Sequence, residues 1–503
     1  MEEREGLVER ALRSCLRAVG AYRIPLLTAL LVGFAAHGFA FANKLLCADE
    51  AAALFSKGVD LGSGRWLLGA TSLLFPDASM PWIYGLLSLC FYAAAAYLTI
   101  HLFEIKNPFL QGLLAAMFVC LPATTSLYCY FFTVMPYVLA LVLAIASVCV
   151  GRREGWLPFA LSVLLLLLSL GIYQAYAALA ASYYLLLMIR RLLCGEEETK
   201  RVLRFGLRAL GMLALSLLLY YAVHLLALRT SGLATVEYSG SEDGLLHRFL
   251  LAYNALVKAI TRGYFGLVPR PLSRIVHIVG AAGIALALVC WFVKNRDWKR
   301  GALLALCLAL LPLAMNCLFL IANVTVIHAI TLYSFVCVYV LAIIVVEAME
   351  GRAASLGRDA LITGLALIVC VNVYFANEVY LKMHLEYENA YATWTEIVTQ
   401  IKLTEGFDEE TRIALVGKGS ELLYRADAID TGDLLGPNDD LVNIYTRDFL
   451  LRHYLGFDAD FLSRDEAWLL SLDPRVATMP VYPYPGSIRK IDGVIVVKFG
   501  DHG

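Results

Sequence analysis

Long apolar stretches recur along most of this chain, and their succession constrains the fold more than any other feature. A run of about 20 apolar residues crosses the roughly 30 Å hydrocarbon core of a bilayer as one helix. Such stretches begin near Ile24, Trp82, Phe109, Thr133, Trp156, Ala175, Phe205, Ile275, Ala302, Thr325 and Ala360. They predict about eleven membrane-spanning helices. Trp156 to Cys194 must hold two of them, with Gly171 to Tyr176 as the turn between. With 60% hydrophobic residues, 17% charged residues and a mean hydropathy of +0.70, lipid has to cover much of the surface. A net charge of −1 supplies no pervasive basic face for nucleic acid. The twelve cysteines lie between Cys15 and Cys370 without CxxC or Cys/His spacing, and read as small core residues. Arg4, Arg10, Arg13, Arg17 and Arg23 precede the first apolar run, but no small-residue cleavage site follows. That run is therefore expected to stay as a helix.

Basic residues orient the spans, because short cytoplasmic loops collect Lys and Arg. With the N-terminus inside, the inner loops carry Lys106; Arg152 and Arg153; Arg190, Arg191, Lys200, Arg201 and Arg204; Lys294, Arg296, Lys299 and Arg300; and Arg352 and Arg358. The outer connections near 128–132, 171–176 and 322–324 carry none. An odd number of spans then places the tail outside. Two outer loops are long. The first, 43–81, mixes amphipathic stretches with Asp49, Glu50, Asp60 and Asp77, and is expected along the membrane surface. The second, 229–274, breaks the charge rule with Arg229, Arg248, Lys258, Arg262, Arg270 and Arg274, and calls for an anionic partner.

After Tyr380 the apolar runs shorten and acidic residues increase, as in a small soluble α/β module. Ile413 to Val416 reads as a buried strand, and Leu441 to Tyr454 as an amphipathic helix. Ser487 to Phe499 reads as a hairpin turning at Asp492-Gly493, a pair suited to a type I′ turn. The expected organisation is an all-α polytopic membrane domain over 1–380 and an extracytoplasmic α/β domain over 381–503.

Four groups of residues can carry chemistry. Asp49 and Glu50 are either a solvated pair at a helix start or a general base for an acceptor hydroxyl. Gly64-Arg65-Trp66 combines a turn, a group that grips carboxylate or phosphate, and an indole that anchors at an interface or stacks on a sugar. Tyr173, Gln174 and Tyr176 fit a saccharide contact or an aromatic belt, although a belt accounts poorly for Gln174. Arg262, Arg270 and Arg274 suit a lipid phosphate or pyrophosphate leaving group, or anionic headgroups. No Walker loop, dinucleotide fingerprint or nucleophile elbow occurs, and His247 and His328 lack ligand spacing.

The order of several motifs resembles the bacterial type II glucosyl transferase family, membrane enzymes that decorate O-antigen and similar surface glycans and look like members of the GT-C class. The motifs are Ala48-Asp49-Glu50, Gly64-Arg65-Trp66, Pro81-Trp82 with Gly85-Leu86-Leu87-Ser88, and Phe132-Thr133 to Tyr137. They continue with Gly171 to Tyr176, Gly486-Ser487-Ile488 and Ile491-Asp492-Gly493-Val494-Ile495-Val496-Val497-Lys498. The resemblance covers nearly the whole chain. It implies transfer of a sugar, typically glucose, from a polyprenyl-phosphate carrier to a glycan acceptor at the outer face of the bacterial cytoplasmic membrane. It maps the base onto Asp49, with Glu50 beside it, and places Tyr137 after the Phe-Thr motif. Here Val134-Met135-Pro136 stands where related chains often carry an acid, so a second carboxylate is missing from that loop. No cofactor is required, and a divalent metal is compatible with the scheme. A multi-pass transporter or lipid-linked-sugar flippase is the rival reading, but it calls for repeated halves and midplane polar residues that the sequence lacks. A non-catalytic scaffold of surface-glycan assembly is the other.

Overall fold

The computed structural model describes residues 20, 23–56, 58, 61–195, 197–234, 244–318, 328–417, 428–432, 434, 436–437 and 441–500. Arg4, Arg10, Arg13, Arg17, Asp60, the connection at 322–324 and the expected span start at Thr325 lie outside these residues. The fold is mostly helical. In chain order the helices are α1 (Arg23–Ala42), α2 (Ala48–Ala52), α3 (Pro81–Phe103), α4 (Pro108–Cys120), α5 (Pro122–Leu127) and α6 (Phe131–Gly151). There follow α7 (Trp156–Ile172), α8 (Tyr176–Cys194), α9 (Thr199–Ser231), α10 (Leu245–Thr261), α11 (Pro271–Lys294), α12 (Trp298–Met315), α13 (Val336–Glu347) and α14 (Gly351–Leu403). The tail adds β1 (Ile413–Val416), α15 (Ile444–Tyr454), α16 (Arg464–Ser471), α17 (Pro474–Ala477), β2 (Ile488–Ile491) and β3 (Val494–Lys498).

Among the described residues, ten helices are long and apolar enough to cross a membrane, and α7 is a shorter apolar helix. Its limits are local. Gly155, at φ 111°, delays its start, and extended Tyr173 ends it. Five helices begin on proline, at Pro81, Pro108, Pro122, Pro271 and Pro474, where the missing N–H would have had no partner in any case. Asn107 and Asp297 cap helix starts by accepting backbone N–H groups. The loop expected over 229–274 contains a 17-residue helix, α10, whose Ala252, Ala255 and Ala259 are buried while Leu246, Leu250, Tyr253 and Val257 stay exposed.

Contacts divide the chain into two compact units: 1–43, 55–377 and 431–434 in the first, and 44–54, 378–430 and 435–503 in the second. Within the first, α1 packs on α3 and α4, α6 on α3 and α7, and α8 on α6 and α12. Glycines set the closeness of α1 to α3. A Cβ at Gly33 would lie 2.4 Å from Leu89, and one at Gly85 would lie 2.3 Å from Phe41. Each helix therefore seats a bulky side chain of the other over a bare backbone, the small-residue packing on which lipid-facing helices rely.

The second unit contains a three-stranded sheet of order β1-β3-β2, with β1 parallel and β2 antiparallel to the central β3. Asp492 at φ 47° and Gly493 at φ 85° make the expected tight hairpin turn. The helix expected over Leu441 to Tyr454 starts at Ile444, because Asn443 accepts the N–H of Thr446 and caps it there. Trp394, Ile397 and Ile401 of α14 pack with Ile413, Leu415, Ile495 and Val497. The Trp394 indole donates to the Leu441 carbonyl at 3.1 Å. One assignment differs from the sequence reading. Residues 44–54, expected in the membrane domain's first loop, belong to this unit, because Leu46 and Ala51 are buried in its core and α2 packs on α15.

Among the described residues Trp394 is the largest fully buried side chain. Trp394→Ala is expected to cost this unit about 3–5 kcal/mol. Limited proteolysis of the full-length protein should then cut faster within 404–503 than in wild type. Unchanged cleavage there would contradict this account of the core. Glu466 gives a pH marker. The Ser463 hydroxyl and N–H, and then Arg412, hold its carboxyl down to about 2. Its contribution is present above the ordinary carboxylate range of about 4 and fades only as pH falls toward about 2. A carboxyl NMR titration of Glu466 with an ordinary midpoint would refute it.

Candidate functional site

The first unit gathers Gly64, Arg65, Trp66, Tyr137, Tyr173, Gln174 and Tyr176. Gly64 sits at φ 84°, a left-handed conformation that favours glycine. Its place is also crowded, since a Cβ would lie 2.2 Å from the Tyr220 hydroxyl and 2.6 Å from the Gln174 amide. The Gln174 side-chain N–H groups donate to the Ser63 carbonyl at 2.7 Å and to the Tyr220 oxygen at 2.8 Å. Tyr220 passes the chain on, donating its hydroxyl to the Gly64 carbonyl at 3.1 Å. An amide from the connection between α7 and α8 and a phenol from α9 thus hold one irregular turn by its carbonyls.

The turn is tied down again just beyond. Leu67 donates its N–H to the Gly171 carbonyl at 2.8 Å. The indole of Trp66 lies over Gly171 so closely that a Cβ there would be 2.6 Å from the ring. Trp66 is therefore seated on the protein rather than projecting as an anchor. Between these fixed points Arg65 is half-buried, its guanidinium 6.0 Å from the Tyr137 ring centre and 5.9 Å from that of Tyr173, the outer range of a cation–π contact.

Tyr137 and Tyr173 stack at 3.9 Å, and Tyr173 meets Tyr176 edge-on at 5.4 Å. Tyr176 in turn meets Tyr333 edge-on at 6.2 Å. Tyr137, Tyr173 and Tyr176 are only 2–4% exposed. Belt tyrosines face the membrane interface, so these three form an internal wall instead. Gln174 lies at the wall's edge, half-buried, with both amide N–H groups spent inward. The chemistry on offer is one fixed cation against a wall of phenol rings, suited to an anion attached to something with apolar faces.

The three other candidate arginines belong to a different feature, the turn between α10 and α11 and the first turn of α11. Arg262, Arg270 and Arg274 are all exposed there. Tyr264 and Phe265 both take left-handed backbone, at φ 48° and 68°, each at a cost on the order of 1–3 kcal/mol. The Tyr264 hydroxyl, donating to the Leu332 carbonyl at 3.0 Å, and the Phe265–Phe335 ring contact at 4.6 Å hold the turn in that shape.

Asp49 and Glu50 lie in the second unit and differ sharply from each other. Glu50 is fully buried and ion-paired with Lys44. Asp49 is exposed at the first turn of α2. The sequence reading missed Tyr220. Its signal was Tyr220 with His224 one helical turn further on, two polar rings in a mostly aliphatic span that also holds Tyr221; the two rings stack at an interplanar angle of 10°.

The sequence model of the family described as Glucosyl transferase GtrII matches residues 38–341, more than half of the chain and the stretch that contains Gly64 to Trp66, Tyr137 and Tyr173 to Tyr176. No curated protein and no solved structure matches.

If the amide–phenol chain holds the turn, graded substitutions should rank. Tyr220→Phe removes both the acceptor of the Gln174 bond and the donor to Gly64, and is expected to cost about 2 kcal/mol. Gly64→Ala meets both strain and overlap and is expected to cost more. Thermal unfolding of the detergent-solubilised protein checks the order, and equal midpoints for the two variants would show that the turn does not depend on this clamp.

Proposed function

The chain belongs to the GtrII glucosyl transferase family and is a membrane glycosyltransferase, and from that premise we propose that it moves a glucosyl residue from a polyprenyl-phosphate carrier to a surface glycan on the outer face of the cytoplasmic membrane. The observation that carries the donor side of this reading is Arg65, held by the Ser63–Gly64 clamp against Tyr137 and Tyr173. A phosphate on a lipid is an anion attached to an apolar body, and a glucosyl ring has apolar faces that suit phenol rings. The GT-C class is part of the same proposal.

The reaction is a single displacement. An acceptor hydroxyl loses its proton to the Asp49 carboxylate as its oxygen attacks the anomeric carbon. The bond from that carbon to the phosphate oxygen breaks, and polyprenyl phosphate leaves with the electron pair. Arg65 is the proposed partner of the phosphate, and the exposed Arg262, Arg270 and Arg274 are proposed to meet the charge of the carrier. A cation aimed at the leaving group stabilises the transition state more than the ground state, because negative charge grows there during the reaction. Asp49 is favoured over Glu50 as base because it is exposed, whereas Glu50 is engaged with Lys44.

Reconstituted vesicles with polyprenyl-phosphate-linked glucose and isolated surface glycan test both halves separately. Asp49→Asn is expected to insert normally and to lose transfer by about 10²–10⁴-fold, the span of general-base effects. Wild-type rates in that variant would remove the base assignment. Arg65→Lys keeps the charge but loses the planar fork, and is expected to lower kcat by about tenfold or more. An unchanged kcat would separate Arg65 from the leaving group.

A further inference from the structure

The second unit has a cavity of about 210 Å³ between one face of α15 and the segment that follows it, lined by Arg447, Asp448, Arg452, Asp458, Asp460 and Phe461 among others. None of these residues is used by the reaction above. We infer that this cavity is a binding site for a single neutral sugar residue, a recognition subsite for the glycan acceptor. The inference rests on the reading of the protein as a glycosyltransferase but not on the roles given to Asp49 or Arg65.

Size sets the first limit. Sites for drug-sized molecules enclose roughly 300–1,000 Å³, so a cavity of about 210 Å³ takes one ring and not a chain. Charge sets the second. Each carboxylate at the cavity already has a cation: Asp448 has Arg447 at 2.7 Å, Asp458 has Arg452 at 2.7 Å, and Asp460 has Arg412 at 3.0 Å. An anion would meet three carboxylates, and a cation would meet arginines. Among the described residues no three acidic, His or Cys side chains converge as metal ligands. A neutral polyhydroxyl compound suits this alternation, because carboxylates accept from its hydroxyls and guanidinium groups donate to them.

Arg447 gives the site its direction. Its side chain is only 8% exposed, and its guanidinium lies 4.0 Å from the ring centre of Phe461. Its Nε donates to Asp448 at 2.7 Å, and among the described residues its two Nη groups donate to nothing in the protein. The Nη donors are open to the cavity and stay available to a ligand, while the stem and Nε are fixed by Phe461 and Asp448. The donors of Arg447, the carboxylates around it and the half-buried Phe461 ring are the three kinds of contact that a pyranose uses: hydroxyl acceptors, hydroxyl donors and an apolar face.

The test is saturation-transfer NMR on the full-length protein in detergent with a panel of neutral methyl hexosides. At least one should receive saturation in the wild type and keep it in Arg65→Ala, which lies in the other unit. Arg447→Gln should weaken that binding by about tenfold or more, as expected for loss of a charge-assisted hydrogen bond. Asp458→Asn serves as a second variant should Arg447→Gln fold poorly. Arg475→Gln, in the same unit but bonded to Asp473 and Asp492, should leave binding unchanged. No transfer to any hexoside, equal binding in Arg447→Gln and Asp458→Asn, or displacement of the sugar by inorganic phosphate would each overturn the inference. Loss of binding in Arg65→Ala alone would assign the sugar to the first unit and equally refute it.

Discussion

The turn at Ser63–Gly64 depends on one constraint, that carbonyls of irregular backbone need donors when they are removed from water. Regular helices meet this need internally, and a chain of apolar spans does so almost everywhere. Where the backbone departs from helix next to the spans, side chains have to replace the missing donors. Gln174 and Tyr220 do this for Ser63 and Gly64, and Gly171 does it from the acceptor side for Leu67. Arg65 and Trp66 inherit their positions from those bonds. The candidate site is therefore a by-product of backbone accounting: residues that satisfy the turn also fix Arg65, the cation that faces the Tyr137–Tyr173 pair.

The acidic pair shows how adjacency in sequence can separate roles. In α2, successive residues point about 100° apart around the helix axis, so Asp49 and Glu50 cannot share an environment. Glu50 turns into the core that contains Leu46, Ala51 and Trp394, and takes Lys44 with it. Asp49 turns out. A carboxylate that has to receive a proton benefits from access, whereas one that has to hold a short helix in place benefits from burial beside a cation.

Much of this was legible before any coordinates. The spans were legible because lipid demands long uninterrupted apolar runs, and each of the starts at Ile24, Trp82, Phe109, Thr133, Trp156, Ala175, Phe205, Ile275, Ala302 and Ala360 falls on or beside a helix. The hairpin was legible because Asp492-Gly493 carries a local backbone preference. What escaped was non-local. Nothing near Leu46 or Ala51 announces that they fill a core built some 350 residues later, and a short amphipathic helix reads the same on a membrane surface as in a protein interior. Tyr220 escaped because a tyrosine in a span is ordinary, and its value comes only from Gln174 and Gly64, far away in sequence. The burial of Tyr137, Tyr173 and Tyr176 was likewise unreadable, since ring content does not reveal which way the rings face.

The Lys44–Glu50 pair has a consequence for how this chain can vary over generations. Glu50 is fully buried while Lys44 keeps 23% of its side chain exposed, so losing the lysine and leaving the carboxylate in that interior would be more damaging than losing both charges. The two positions are thus linked as heritable traits: replacement of Lys44 is easier to tolerate where Glu50 has first become neutral or apolar. Six residues apart and encoded almost side by side, they travel together through recombination, which makes such joint replacement accessible.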